Sequence, residues 1–597
     1  MPRAVSVAVE SPLLQLDRDF HFLVPDGLEP RFGQRVRFPF GRGKKELTGF
    51  VLEVLESSEY ASSTISAIVD PRPVLTPEIY KFARAVADRQ VVAIGEILAL
   101  AVPDHMPRVK LEDSDLSLLP PGELDLRREA TLDSCRQVMV GESYYPSWAE
   151  LFLSRAKELL EQNRSTIIIV PETDDAQMLR ELAAKLDLDV ELMLPGEKRS
   201  ERFKAFHRLL NRVSVVVGTR SAVYAPVAQL GLIAVADDLD DSHREVGSPH
   251  THLRDLALMR AGDSASVLFA SPYRSVELQR LVEIGYLSEM EGPDRPLRIA
   301  FTEPGLRIDE TSFKLVRESL REGPLLVLLP RKGMATAAWC EGCGERQRCS
   351  CGGFIWEPRQ AVFACRLCGK VHVSCPGCQH RSFRPGRKAS GRTVAELGKA
   401  FPNAVVMEAT ADHRPSSVGK PNQIVIATPG SAPRTANGYS ALLILDPDVW
   451  LSAQSLHAEQ FALRDWSEAM QLLNPDARVV VAGLGAHLGQ PLSLWQHREM
   501  AITALREARQ LGLPPATRCV TLIGTRQILD RAEQALSSLG CKRLGQSEDS
   551  LSFTFSYQQG PAVAKELRAV ATAAGARETA SGKQRGLKIA MDDLGLI

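Results

Sequence analysis

Apolar residues follow two rhythms along this chain. Over the first hundred residues they come in short runs, such as 5–9 and 20–24, broken by Pro25-Asp26-Gly27 and Pro39-Phe40-Gly41-Arg42-Gly43. Runs of this kind predict the short strands of a small barrel-like module, and residues 49–55 add another strand. Thr76-Pro77 then reads as the cap and first residue of a helix carrying Ile79, Phe82, Ala83 and Val86 on one face. Residues 1–107 are read as one unit.

The stretch that follows, 108–135, is polar and weakly periodic, with Glu112, Asp113, Asp115, Pro120, Pro121 and Gly122, and reads as a linker. From residue 136 apolar strand runs (166–170, 213–217, 232–235, 267–270) alternate with amphipathic helical stretches such as 177–186. This alternation predicts a parallel sheet covered by helices. A second series has runs at 325–329, 404–407, 424–427, 442–445 and 479–482, and a cysteine cluster interrupts it near its start. After Pro514-Pro515 a smaller α+β domain is expected, with strands near 519–523 and 551–557. The predicted class is α/β: a β-rich N-terminal domain (1–107), a linker (108–135), a first lobe (136–300), a second lobe in two parts (301–335 and 384–500) around an insertion (336–383), and a C-terminal α+β domain (501–597).

Composition narrows the function. A chain of 597 residues, 44% hydrophobic and 24% charged, has material for several cores. Seventy-two basic against 73 acidic residues exclude a globally basic coat and leave room for local patches. No apolar run approaches the roughly 18 residues of a membrane helix, and residues 1–10 lack the apolar core of a signal peptide, so a cytoplasmic, membrane-free protein is expected. One basic strip stands out. Arg31, Arg35, Arg37, Arg42, Lys44 and Lys45 occur without an acidic residue and with Phe32, Phe38 and Phe40 interleaved. Cations with aromatics suit a nucleic-acid backbone and its bases; a basic surface strand with core phenylalanines fits the pattern equally. A second basic run, Arg381, Arg384, Arg387, Lys388 and Arg392, is either a DNA or partner surface or a solvated loop.

Eight of the eleven cysteines lie in the insertion: Cys340, Cys343, Cys349, Cys351, Cys365, Cys368, Cys375 and Cys378. Three pairs have CxxC spacing and one has CxC. Four thiolates close a structural Zn²⁺ site, so eight predict two structural Zn²⁺. Cys135, Cys519 and Cys541 are isolated thiols.

Several segments together are similar to those of the PriA family, which acts in bacterial replication restart: 35–41 (RVRFPFG), 217–232 (VGTRSAVYAPVAQLGL), the eight-cysteine insertion, and 507–515 (EARQLGLPP). The resemblance spans almost the whole chain. It implies two RecA-like helicase lobes, forked or branched DNA and other primosome or replication proteins as partners, and association with the nucleoid. It also implies a cysteine pairing, with Cys340, Cys343, Cys375 and Cys378 on one ion and Cys349, Cys351, Cys365 and Cys368 on the other. In the family the N-terminal domain holds a nascent 3′ end. Its pocket residues fall here on Phe20 and Gly41, while its Asp position is His21 and its Lys position is Ser66. The expected DNA-binding set is thus Phe20, His21, Arg35, Arg37, Gly41, Arg42 and Lys44. The family's winged-helix domain has no room in the linker.

The nucleotide motifs depart from the family. A P-loop needs GxxxxGK[ST] for backbone amides, a Lys and a Mg²⁺-binding hydroxyl. The matching segment, Val140 to Trp148 (VGESYYPSW), keeps one Gly, lacks the Lys and carries Glu142. The DEEH position reads Ala236-Asp237-Asp238-Leu239, and the SATPS position Ala270-Ser271-Pro272-Tyr273-Arg274-Ser275. The arginine-rich motif of the second lobe is replaced near 468–475 (EAMQLLNP). No residue is assigned to catalysis or nucleotide binding, and ATP and Mg²⁺, which the family uses, are not expected to be turned over. The leading expectation is a restart protein that binds branched DNA and recruits partners without unwinding. An ATP-dependent 3′-to-5′ helicase with divergent motifs, or a protein scaffold that no longer binds DNA, are the alternatives.

Overall fold

The computed structural model describes the chain except residues 1–2, 42, 112–117, 133–134, 136, 291–296, 305–306, 332–337, 344–346, 352–353, 360, 366–367, 385–388, 411–412, 416–417, 452–454, 548, 582–585 and 594–597, together with the side chains of 389–392, 546 and 576–581.

The N-terminal alternation folds as a five-stranded antiparallel sheet of β1 (Ala4–Val9), β2 (Phe20–Leu23), β3 (Arg35–Phe40), β4 (Lys45–Leu55) and β5 (Ala67–Ile68). Their order is β2-β1-β4-β3-β5, and a bridge from Leu23 to Thr64 curls the sheet towards a barrel. The inward set is Val5, Val7, Val9, Phe22, Val36, Phe38, Val51 and Ile65. Helix α1 (Pro77–Gln90) starts as its sequence dictates, with Thr76 Oγ1 accepting from Ile79 N–H at 3.2 Å and Ile79, Phe82, Ala83 and Val86 buried. Helix α2 (Ile94–Ala101) packs beside it.

The first lobe is a seven-stranded, wholly parallel sheet. Its chain order runs β6 (Arg128–Leu132), a β7–β8 hairpin (Gln137–Val140, Ser143–Pro146), α3 (Ser147–Glu161), β9 (Ser165–Ile169), α4 (Thr173–Lys185), β10 (Glu191–Met193), α5 (Arg199–Leu209), β11 (Val215–Gly218), β12 (Leu230–Ala236), α6 (Leu253–Ala261), β13 (Ser266–Ser271), α7 (Val276–Glu283) and β14 (Ser288–Met290). The spatial order is β10-β11-β9-β12-β13-β6-β14. Strand β6 lies inside the segment expected as linker. Five residues with two charges carry no period of their own, and pairing with β13 and β14 is what makes them a strand.

The second lobe is a six-stranded parallel sheet, order β15-β24-β23-β16-β22-β21 once its elements are placed: β15 (Arg298–Phe301), α8 (Glu310–Ser319), β16 (Leu325–Leu328), the insertion with β17 (Trp339–Cys340), β18 (Ile355–Arg359), β19 (Val362–Cys365) and β20 (Phe383–Arg384), α9 (Ala389–Ala400), β21 (Val405–Ala409), β22 (Gln423–Ala427), β23 (Tyr439–Ile444), α10 (Pro447–Leu451), α11 (Ala458–Met470), β24 (Leu473–Val481), α12 (Ala486–Ser493) and α13 (His497–Leu511). β15 begins just inside the region expected to be the first lobe. The insertion interrupts the crossover from β16 to β21. Cys135, Leu239 and Tyr273 of the first lobe are buried in the second lobe's core, so the lobes share apolar surface.

The C-terminal domain is α+β, as expected: β25 (Arg518–Ile523), α14 (Arg526–Ser538), β26 (Lys542–Gln546), β27 (Ser550–Phe555), α15 (Gly560–Ser581) and β28 (Lys588–Met591), sheet order β26-β27-β25-β28. It returns to the N-terminal domain. Arg568 and Arg84 both grip Asp17, Arg568 also donates to the Ala87 and Val92 carbonyls, and Asp592 bridges Arg89 and Arg518. Among the described residues no helix is long and apolar enough to cross a membrane.

Candidate nucleic-acid interface, metal centres and interlobe cleft

The basic strip divides on folding. Arg37 is exposed on β3 between the inward-facing Val36 and Phe38, because side chains alternate along a strand, and Lys44 and Lys45 are exposed at the β3–β4 turn. Gly41, at φ +70°, makes that turn with open space where a side chain would stand, so its part is backbone shape. Arg35 shares the Arg37 face but is covered there, and it does not fit the expected DNA-binding set. It is 6% exposed, donates to Glu10 Oε1 at 2.9 Å and to the Pro103 carbonyl at 3.0 Å, and lies over the Phe50 ring. Its cation is consumed inside the domain. Arg42 lies outside the described residues.

Phe20 and His21 open β2. Phe20 meets Phe40 edge-on at 5.1 Å, and His21 Nδ1 lies 2.6 Å from Ser58 Oγ. Ser66 donates its hydroxyl to Glu46 Oε1 at 3.0 Å, which puts a carboxylate where the family resemblance expects a cation. Of the second basic run, Arg381 and Arg384 are exposed beside the cysteine module, whereas Arg387, Lys388 and the Arg392 side chain lie outside the described residues.

The eight cysteines gather into two groups of four, Cys340/Cys343/Cys375/Cys378 and Cys349/Cys351/Cys365/Cys368, with all four sulfurs of each within 4.8 Å of one another. Two contacts in each group measure 3.4 and 3.9 Å, and 3.4 and 3.8 Å. Tetrahedral Zn–S bonds of about 2.3 Å place sulfurs about 3.8 Å apart, so the donor set fits Zn²⁺. Backbone N–H groups of Gly342, Cys368 and Cys378 point at Cys340, Cys365 and Cys375 sulfurs, the geometry of a turn that gathers thiolates. The two groups could each hold one metal ion.

The cleft between the lobes is the third site. A cavity of about 520 Å³ opens at the carboxyl ends of both parallel sheets, lined among others by Glu172, Asp237, Asp240, Arg331, Arg434 and Arg464. Trp148 is one of its lining residues, yet neither Trp148 nor Tyr145 closes it. Both are 5% exposed and pack into the core of the first lobe under α3, where burial of a large ring is most favourable. The segment in the P-loop position is the β7–β8 hairpin with an exposed Gly141-Glu142 turn. Pro146, at the head of α3, brings no N–H, and Tyr144 N–H is engaged by the Ala436 carbonyl of the second lobe at 3.2 Å.

The centre of the cleft is Arg464, which sequence comparison by motif overlooked. Carried by α11, it is 4% exposed and reaches across to Asp237 and Asp240 of the first lobe while also donating to Asp465. Its signal in the sequence was weak, since its helical neighbours three and four positions away are Gln460, Phe461, Ser467 and Glu468, and its partners lie more than 220 positions away. Burial pushes the Asp237 carboxyl up to about 6 despite Arg464, and Asp237 Oδ1 has no hydrogen-bond partner among the described residues. Burial likewise raises Glu468 to about 7. Asp240 differs: burial works against its charge, but Arg464 and His243 outweigh it and hold the group down at about 2. Asp238 is turned into the first lobe, bonded to Arg254, Ser271 and Ser275. More interlobe pairs flank the cleft, including Arg331–Asp241, Arg434–Asp175 and Gln460 with Glu277.

Known proteins share much of this sequence. Residues 6–103 match the family model described as 3′DNA-binding domain (3′BD). The chain is 31% identical over 563 residues, 85% of either chain, to the probable replication restart protein PriA of Mycobacterium tuberculosis. It is 23% identical over 425 residues to replication restart protein PriA of Rickettsia conorii, covering 66% of this chain and 65% of that one. Among solved structures, RecG bound to a three-way DNA junction aligns over 73% of this chain and 46% of that one at 12% identity, TM-score 0.34.

Proposed function

Because the chain belongs to the PriA family of replication restart proteins, we propose that it binds forked or branched DNA at stalled replication sites, engages a nascent 3′ end through its N-terminal domain, and recruits other primosome proteins without unwinding DNA itself. DNA contact rests on the 3′DNA-binding domain match and on the exposed Arg37, Lys44 and Lys45. Two Zn²⁺ ions in the four-cysteine groups would hold the insertion as a rigid module. A cytoplasmic, nucleoid-associated place follows from that role.

One observation carries the loss of unwinding: the cleft's central cation is Arg464, held by Asp237 and Asp240. Asp237 belongs to the segment in the DEEH position, and its carboxylate, with that of Asp240, is engaged by the protein's own guanidinium. The hairpin before α3 offers Glu142 and Pro146 where phosphate binding needs a Lys and backbone donors. The interlobe pairs would hold the two lobes together as a scaffold. The helicase reading is favoured by the cavity of about 520 Å³, a size that small-ligand sites commonly have. DNA-stimulated ATPase assay of the purified chain decides between them, with Asp237→Ala/Asp238→Ala as the contamination control. Turnover at background is expected. Robust turnover that vanishes in the double variant would restore the helicase.

A further inference from the structure

Helix α7 of the first lobe is held by three other parts of the chain. Its first turn is held by the second lobe: Gln460 of α11 accepts from Val276 N–H at 2.9 Å and donates to Glu277 Oε2 at 3.2 Å. Gln460 lies one turn before Arg464 on α11, so one face of that helix presents both residues to the first lobe. The middle of α7 is held by the C-terminal domain, where the Arg280 guanidinium lies 3.5 Å from the Tyr557 ring centroid. Its last residue, Glu283, pairs with Arg509 of α13 at 2.6 Å.

Helix α13 packs beside α7. It is part of the second lobe, since Met500 and the preceding Trp495 lie against that lobe's core, and through Gly512 and Pro514-Pro515 it leads into the C-terminal domain. Its fifteen residues make it about 22 Å long. The two ends are held differently. At the first turn His497 is fully buried, edge-on to Tyr273 of the first lobe at 5.1 Å and to Trp495 at 4.4 Å. Beside it Arg498 shares Glu289 of β14 with Arg274, at 2.8 and 2.6 Å. At the last turn the hold on the first lobe is the Arg509–Glu283 pair, whose side chains are 48% and 26% exposed. A pair so open to water is weak and screened by salt, so this end can let go while the buried end stays.

We propose that α13 is a strap between the lobes, with its His497 end as the fixed pivot, its Arg509 end as the releasable catch, α7 as the plate it closes on, and Tyr557 as the C-terminal domain's hold on that plate. With the catch made, α7 is kept against α11, and the Gln460 and Arg464 ties across the cleft are kept with it. With the catch broken, α7 is free to draw the first lobe off α11. The stack of Arg280 on Tyr557 lies one turn before the catch on α7, so a displacement of the C-terminal domain reaches the catch directly. The device rests on these contacts and does not depend on whether the cleft takes a nucleotide.

Hydrogen exchange of the full chain, resolved by mass spectrometry of its peptides, reads the cleft away from the strap. Tyr144 N–H is bonded across the lobes to the Ala436 carbonyl at 3.2 Å, so its exchange reports their separation. Arg509→Glu turns the catch into a repulsion and should speed exchange of the peptide carrying Tyr144 about five-fold, while the buried strand β9 exchanges as in the wild-type chain. Tyr557→Ala should act in the same direction. Adding Glu283→Arg to Arg509→Glu restores a pair of opposite charges and should bring the rate back to that of the wild-type chain. Unchanged exchange at Tyr144 in either single variant overturns the proposal. So does a fast rate that the charge-swapped double variant fails to restore, because the effect would then belong to general loosening and not to the catch.

Discussion

Single side chains in this protein take their roles from what covers them. Arg35 and Arg37 are two residues apart on β3, so strand alternation places both on one face of the sheet. Arg35 is drawn inward by Glu10, the Pro103 carbonyl and Phe50, whereas Arg37 stays in water. Their substitutions should therefore part company. Arg35→Ala leaves Glu10 without its partner, which for a buried pair costs roughly 3–5 kcal/mol, the low end applying because Glu10 keeps 15% exposure. A lowered melting temperature is the expected result. Arg37→Ala should leave melting unchanged and reduce the salt slope of DNA binding by about 0.7–0.9. Equal effects of the two on stability would contradict this division. In the cleft, Asp237 and Glu468 titrate at about 6 and about 7, above their ordinary 3.8 and 4.5. Folding then holds extra protons across that window, so stability is full at its acid end and declines as pH rises through 6 to 7. Asp240, held at about 2, works in the opposite sense, below about pH 4. Melting should rise by roughly 2–4 °C from pH 8 to pH 6, and Asp237→Asn/Glu468→Gln should flatten that dependence.

At the scale of elements, the cysteine insertion is the clearest unit. It has small apolar contacts of its own, around Ala338, Cys349, Ile355 and Cys365, too few to fold a module of this size without added constraint. Metal content is expected at about two Zn²⁺ per chain. Cys343→Ser should reduce this to about one, and so should Cys368→Ser, since each belongs to a different group. Loss of both ions from either variant would mean one shared centre. Elsewhere, strands of four to seven apolar residues were plain in the sequence because parallel strands are buried on both faces. Strands β6, β10, β14 and β15 were not. They are short edge or near-edge strands with polar residues, and only their neighbours in the sheet make them strands.

The whole molecule is tied at both ends. Asp17 of the N-terminal domain sits between Arg84 and Arg568, and Asp592 between Arg89 and Arg518, so the last domain is fastened to the first across the lobes. Asp17 is nearly sealed from solvent. Its carboxyl is held below the usual range, since burial, which alone would raise it, is outweighed by Arg84 and then by the Ile94 N–H and Arg568. Arg568→Ala should loosen this seam. Limited proteolysis is then expected to cut between the N-terminal domain and the first lobe earlier than in the wild-type chain, with the isolated N-terminal fragment still folded. Unchanged digestion would place the tie elsewhere, in the apolar packing of α1.

Strand rhythm and cysteine spacing by themselves pointed to the parallel lobes and to eight metal ligands, because each is written in local patterns: alternation, apolar runs, and ligands two or three residues apart; which four cysteines share an ion came from the family resemblance. The departure of Val140 to Trp148 from the GxxxxGK[ST] pattern is equally local and equally legible. What tertiary structure decided was everything that depends on partners far along the chain. It covered Arg35, brought Arg464 of α11 onto Asp237 and Asp240, and set Tyr60 beside His21. The physical reason is that burial and charge pairing act through space, and no periodicity in a sequence records which distant residue will arrive at a given side chain.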